Sequence, residues 1–234
     1  MDKILNTISA TVRRSMLLPA KVIHTMSRGR ITPNHITLVS LLGHIGVVWA
    51  LWQWRPVLAA ILLAVFGIMD SLDGALARLQ KKASSKGMFY DAMSDRAKEV
   101  LLYTGLMVYC FRVYDTYAIS YAPTIENTVH DVLTHVSGQL PTVVLISAVY
   151  GLSFLISYAK AKGETALAQK TKDDPNSINR VFADGLGRYE VRMAIVIVGL
   201  LSGYLLTSLV VLLGVTAFTA SQRFARISKA LTHV

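Results

Sequence analysis

One cysteine is all that this 234-residue chain contains. Cys110 lies in an apolar run, so an intrachain disulfide is excluded and a buried free thiol is expected. Charged residues are scarce, at 16% against 53% hydrophobic residues. With a mean hydropathy of +0.47, that balance does not suit an ordinary soluble domain. Acids are the scarcer sign: 14 Asp and Glu stand against 24 Lys and Arg, for a net charge of +10. A basic chain can serve nucleic acid, but here the aromatic residues cluster with apolar runs and not with basic ones. The expected partners are therefore membrane lipids and anionic substrates, with no nucleic acid. The N-terminus lacks a long apolar core followed by a small-residue cleavage site, so no cleavable signal peptide is expected. No repeat of solenoid period and no low-complexity segment is present.

What the chain does have is apolar runs of bilayer length. Residues 1–33 form a basic juxtamembrane segment. Ile4, Leu5, Ile8 and Val12 share a helical face, Pro19 is expected to interrupt it, and Val22, Ile23 and Met26 resume the pattern. This reads as an amphipathic helix lying in the headgroup layer. Residues 34–234 form the transmembrane domain. Pro33 and Asn34 suit a helix start, and the chain is then apolar from His35 to Trp54. Trp49, Trp52 and Trp54 gather at the far end like an interfacial belt. A second span runs from Val57 into Asp70 and Asp73, and a third from Met88 to Phe111 carries Asp91 and Asp95 in its first turns. Residues 112–139 read as a polar stretch, Leu140 to Tyr158 as a fourth span, and Lys160 to Gly187 as a polar loop. Tyr189 to Thr219 is too long for one crossing and suits two, turning near Gly203 to Ser208.

The fold expected is thus all-α: a polytopic membrane protein of six transmembrane helices with an N-terminal interfacial helix. Lys and Arg are abundant at both termini, in residues 78–86 and in residues 160–188, but only Arg112 is basic among the Lys and Arg positions of residues 112–139. The positive-inside rule places both termini and the acidic segment on the cytoplasmic side.

Asp70 to Asp95 organises the rest. Asp70 and Asp73 are three apart and Asp91 and Asp95 four apart, so each pair shares a helix face. Antiparallel neighbours would bring four carboxylates together. Any one of them can be a merely solvated helix-end acid; all four at this spacing repel one another unless a cation joins them. With no Cys or His beside them, hard divalent ions such as Mg²⁺, Mn²⁺ or Ca²⁺ are favoured over zinc. Four acids can bridge two ions, an arrangement suited to phosphoryl displacement. Gly74 and Gly87 permit close approach, and Arg78 offers a fork for phosphate oxygens. His44, in the first span, reads as a packed or hydrogen-bonded histidine.

The run D-x2-D-G-x2-A-R-x8-G-x3-D-x3-D resembles the signature of the CDP-alcohol phosphatidyltransferase family, with every fixed position filled. The resemblance implies an integral membrane enzyme that transfers a phosphatidyl group from CDP-diacylglycerol or a related CDP-lipid to an alcohol and releases CMP. It implies Asp70, Asp73, Asp91 and Asp95 as ligands of two Mg²⁺ or Mn²⁺ ions, with Asp95 also the catalytic base. It places Gly74, Ala77, Arg78 and Gly87 at the CDP-lipid, together with Pro33, Asn34 and Thr37 of a P-N-x-x-T element. It also suggests a homodimer, for which Gly43 and Gly46 offer close helix packing, as they equally do within one chain.

The basic runs bear on the acceptor. Ser157 to Lys162, Gly187 to Arg192 and Gln222-Arg223 are similar to the phosphatidylinositol-phosphate synthase branch, whose acceptor is inositol phosphate. They nominate Lys160, Lys162, Arg188, Arg192 and Arg223 for an acceptor phosphate. Lys160 and Lys162 are two apart and do not share a face. Gly187-Arg188-Tyr189-Glu190-Val191-Arg192 departs from the E-R-P-E-R-like run of that branch, and the positive-inside bias alone would put basic residues at these ends. Glycerol 3-phosphate is the alternative acceptor. From a different class, a cation transporter using the acids as its ion site predicts them spread along a pathway, whereas here they gather at one end.

Overall fold

The computed structural model describes residues 15–82, 84–116, 124–137, 140–170 and 188–232. Among these residues the regular structure is entirely helical. The chain divides into two compact units, residues 1–117 and 118–234.

The first unit holds α1 (Leu17–Met26), α2 (Pro33–Trp52), α3 (Pro56–Leu79) and α4 (Ser85–Thr116). Pro19 does not interrupt α1. It occupies the first turn, where a missing N–H leaves no intrahelical bond unmade. The face carrying Ile4, Leu5, Ile8 and Val12 lies outside the described residues. Ala20 of α1 is fully buried against Ile36, Leu72, Ala75 and Leu76, which ties α1 to the last turns of α3. Its other side bares Leu18, Val22 and Met26.

Helix α2 starts at Thr32, with Pro33 in the first helical position. It packs against both α3 and α4 and is the central element of the unit. Two glycines make these approaches possible. A Cβ on Gly43 would overlap the Phe66 ring of α3 at 2.2 Å, and one on Gly105 of α4 would meet Leu51 at 3.0 Å. The outer faces stay apolar, with Leu38, Leu42, Ile45 and Trp49 on α2 and Ile61, Val65 and Ile68 on α3 exposed at helical spacing. At the far end, Arg112 donates to the Trp52 carbonyl at 3.0 Å, and its guanidinium lies 5.3 Å and 5.2 Å from the Trp52 and Trp54 rings.

The second unit holds α5 (Thr124–Ser137), α6 (Leu140–Lys170), α7 (Tyr189–Ser202) and α8 (Leu205–Thr232). Two expectations are corrected here. The polar stretch 112–139 contains α5, and the expected loop from Lys160 is helical as far as Lys170. Polar side chains do not end a helix whose backbone bonds continue, and Lys160 and Glu164 pair one turn apart at 3.6 Å. The hairpin between α7 and α8 turns at Gly203, inside the expected window, with φ +79°, a conformation that glycine adopts without penalty. Beside it, Glu126 of α5 is fully buried. Its carboxylate accepts from Leu206 N at 2.6 Å, Thr207 N at 3.0 Å and Thr207 Oγ1 at 2.8 Å, and so caps α8 from another helix.

Among the described residues, α2, α3, α6 through Leu167 and α8 are long and apolar enough to cross a membrane. Charges at one end of α4 and the 14-residue length of α7 set those two apart. The protein is an all-α membrane protein.

Candidate active site

The first unit brings three polar rows together. On α3, Asp70 and Asp73 lie one turn apart. On α4, Gly87, Asp91 and Asp95 repeat every four residues. The third row is on α2, where Thr37, Ser40 and His44 are all buried. Thr37 Oγ1 donates to Asp73 Oδ2 at 2.6 Å. Ser40 Oγ lies 3.1 Å from Asp70 Oδ1 and 2.8 Å from the Phe66 carbonyl, so it shares one hydrogen between them. The hydroxyls of α2 therefore fix the rotation of α3 and the direction of its acids.

Asp73 is 5% exposed, while Asp70, Asp91 and Asp95 are half-buried. The four acids converge closely enough for their charges to interact: Asp91 with Asp70, Asp73 and Asp95, and Asp70 with Asp73 and Asp95. Lys98, three residues past Asp95, is fully buried. Its ammonium bonds to Asp70 Oδ1 and, at 3.2 Å, to Asp95 Oδ1. Arg96 pairs with Glu99.

The donor set fits hard divalent ions, being all oxygen, and Asp70 Oδ2 is buried with no hydrogen-bond partner among the described residues. Yet among the described residues no three His, Cys, Asp or Glu side chains are arranged to hold a metal ion. Lys98 stands where a cation would join Asp70 to Asp95.

The residues expected at a nucleotide lie around the same rim. Ser84 caps α4 by accepting the Gly87 N–H at 3.1 Å. A Cβ on Gly87 would approach Asn34 Oδ1 to 4.0 Å, so the starts of α2 and α4 adjoin. Pro33 opens α2, and its carbonyl accepts from Thr37 Oγ1 at 3.2 Å. Arg78 is exposed and its Nη1 would lie 3.6 Å from a Cβ on Gly74, so the guanidinium folds over that glycine. Ala77, half-buried in the same turn, accepts the Lys82 N–H that ends α3.

In the second unit the nominated basic residues separate. Arg192 and Arg223 are buried, and Arg223 interacts electrostatically with Arg192, Glu164, Arg188 and Arg226. Arg223 Nη1 donates to the Ile156 carbonyl at 3.0 Å. Lys160 is engaged by Glu164, and Lys162 is exposed with its ammonium 5.9 Å from the Tyr158 ring centre. Arg188, Arg192 and Arg223 are thus brought close enough for their charges to interact.

Ser40 and Lys98 were not singled out by sequence reasoning as parts of the site. The signal for Ser40 was its place three residues beyond Thr37. That for Lys98 was a lysine one turn from Asp95, on the face of a row of acids.

The family model for CDP-alcohol phosphatidyltransferases matches residues 30–169, more than half of the chain. The chain belongs to the CDP-alcohol phosphatidyltransferase family. An archaetidylinositol phosphate synthase from Pyrococcus horikoshii is 35% identical over 82 residues, covering 35% of this chain and 44% of that protein. A phosphatidylinositol phosphate synthase from Corynebacterium glutamicum is 32% identical over 103 residues, covering 42% and 47%. The chain thus spans about half the length of these relatives. The fold resembles crystal structures of Mycobacterium tuberculosis phosphatidylinositol phosphate synthase. The form in complex with manganese and citrate gives a TM-score of 0.65 at 19% identity over 91% of this chain and 88% of that one. The form with CDP-DAG bound gives 0.64 at 20% identity over 92% and 94%.

Proposed function

We propose that this phosphatidyltransferase-family protein moves a phosphatidyl group from CDP-diacylglycerol, or a related CDP-lipid, to a phosphorylated alcohol and releases CMP. The observation that carries the reading is the convergence of Asp70, Asp73, Asp91 and Asp95, the first two held by Ser40 and Thr37, beside Asn34, Gly74, Arg78 and Gly87. Asp70, Asp73, Asp91 and Asp95 would hold Mg²⁺ or Mn²⁺, two ions per site. When bound, such ions neutralise the pyrophosphate and the departing CMP. The manganese-bound structural neighbour supports this assignment.

The chain's own side chains do the rest. Arg78 and the glycines at 74 and 87 receive the diphosphate, with Ala77, Pro33, Asn34 and Thr37 around the nucleotide. Asp95 takes the proton of the acceptor hydroxyl as its oxygen bonds to the lipid-side phosphorus. The bond from that phosphorus to the oxygen bridging it to CMP then breaks. The acceptor is inositol phosphate in this reading, held by Arg188, Arg192 and Arg223 with Lys160 and Lys162; the names of both sequence relatives and the burial of Arg192 and Arg223 favour it. Glycerol 3-phosphate is the second candidate. The protein crosses the membrane six times as a homodimer, with both termini and the acids cytoplasmic.

The test is CMP release by purified protein from radiolabelled CDP-diacylglycerol, with Mg²⁺ or Mn²⁺ and a panel of acceptors. Inositol phosphate should support turnover, EDTA should stop it, and Asp95→Asn should abolish it while leaving the protein folded. Wild-type turnover in Asp95→Asn, or in EDTA, would discard the mechanism. Turnover with glycerol 3-phosphate alone would reassign the acceptor.

A further inference from the structure

A buried ammonium is expensive unless anions surround it, and Lys98 is fully buried with two. Both of its partners belong to the carboxylate set that must receive a divalent ion. A dication drawn to the remaining oxygens of Asp70 and Asp95 repels an ammonium held by those same two carboxylates, so its entry drives the ammonium away.

A place for the ammonium to go is built in. His44 Nδ1 lies 2.8 Å from the Ser40 carbonyl, so that nitrogen carries the proton and Nε2 keeps a lone pair. Nε2 is buried with no hydrogen-bond partner among the described residues. His44 stands one turn beyond Ser40, whose hydroxyl meets the same Asp70 Oδ1 that Lys98 holds, and it lies within charge-interaction range of Lys98. A vacant buried acceptor beside a movable donor is otherwise a cost without a return.

We propose that Lys98 is a resident counter-cation of the site, which an entering divalent ion displaces from Asp70 and Asp95 toward His44 Nε2. This rests on the metal-site reading above and adds two residues to it. Lys98 keeps the acids assembled in the absence of metal. It also weakens the apparent metal affinity, because each ion must first evict the ammonium. His44 offsets that loss by receiving it.

The probe is Mn²⁺, followed by the electron paramagnetic resonance signal of the free ion over full-length protein in nanodiscs. Lys98→Met should bind Mn²⁺ roughly tenfold or more tightly than wild type, because a nearby positive charge is gone. Its melting temperature without metal should fall, and the rise on adding Mn²⁺ should grow. Lys98→Arg, which keeps the charge, should bind no more tightly than wild type. His44→Phe should weaken Mn²⁺ binding in the wild-type background and leave it unchanged beside Lys98→Met. Should Lys98→Met not survive purification without metal, Lys98→Gln tests the same loss of charge. Neutral variants that bind Mn²⁺ no more tightly than a wild type that does bind it overturn the role of Lys98 alone. An equal effect of His44→Phe in both backgrounds overturns the role of His44. Wild-type protein that takes up no Mn²⁺ overturns the metal site and this inference together.

Discussion

At the scale of single residues, the candidate site is a set of four acids, two of which, Asp70 and Asp73, have their directions set by hydroxyls. Thr37 shares its one hydrogen between the Pro33 carbonyl at 3.2 Å and, nearer at 2.6 Å, a carboxylate that is 5% exposed, and hydrogen bonds to charged groups are among the stronger ones. Thr37→Val keeps the shape and removes the donor. Losing such a bond costs about 1.5–3 kcal/mol, so kcat/KM for CMP release should fall roughly tenfold or more. Thr37→Ser should retain most of it. A Thr37→Val enzyme at full activity would show that Asp73 needs no fixed direction. Thr37 was legible beforehand through the motif, as were all four acids, because they are spaced to share helix faces. Lys98 was not, because on the sequence it looks like a partner for its neighbour Glu99. Only the fold shows that Arg96 takes Glu99 and that Lys98 reaches across to α3.

At the scale of elements, hydrophobic length located the apolar cores of the helices well and their ends less well. The start of α2 at Pro33 and the turn at Gly203 were readable, since proline and glycine have few conformational alternatives. The extension of α6 to Lys170 was not, because backbone bonding continues through charged residues that pair along the surface. Helix α5 was missed for a related reason. It is amphipathic, and its fully buried acid has its partners 80 and 81 residues away in sequence. Glu126→Ala should strip the cap from α8, at a cost of about 1–3 kcal/mol. For a chain of this size that is a fall of several degrees in melting temperature. Differential scanning fluorimetry in detergent measures it, and an unchanged midpoint would mean that the capping bonds add nothing.

At the scale of the whole molecule, the charge bias predicts a sided protein. Cys110 is buried and is the only thiol, so polar maleimides should leave the native chain unlabelled in intact cells. Single cysteines then report sidedness. Asp131→Cys, at an exposed position in α5, should react from outside. Lys229→Cys, exposed near the end of α8, should react only after the cells are opened. Both reacting from the same side would break the six-span reading. Composition alone carries this expectation, because the bilayer biases every sequence that crosses it, and the labelling pattern decides it.

The contacts of Thr37 and Ser40 with two acids on one neighbouring helix have a last consequence. A residue inserted between them would swing everything beyond by about 100° and leave only one hydroxyl pointing at its acid. The interval between Thr37 and Ser40 is therefore a phase as well as a length, and a one-residue indel there should disable the protein where the same indel in the turn after Trp54 is absorbed.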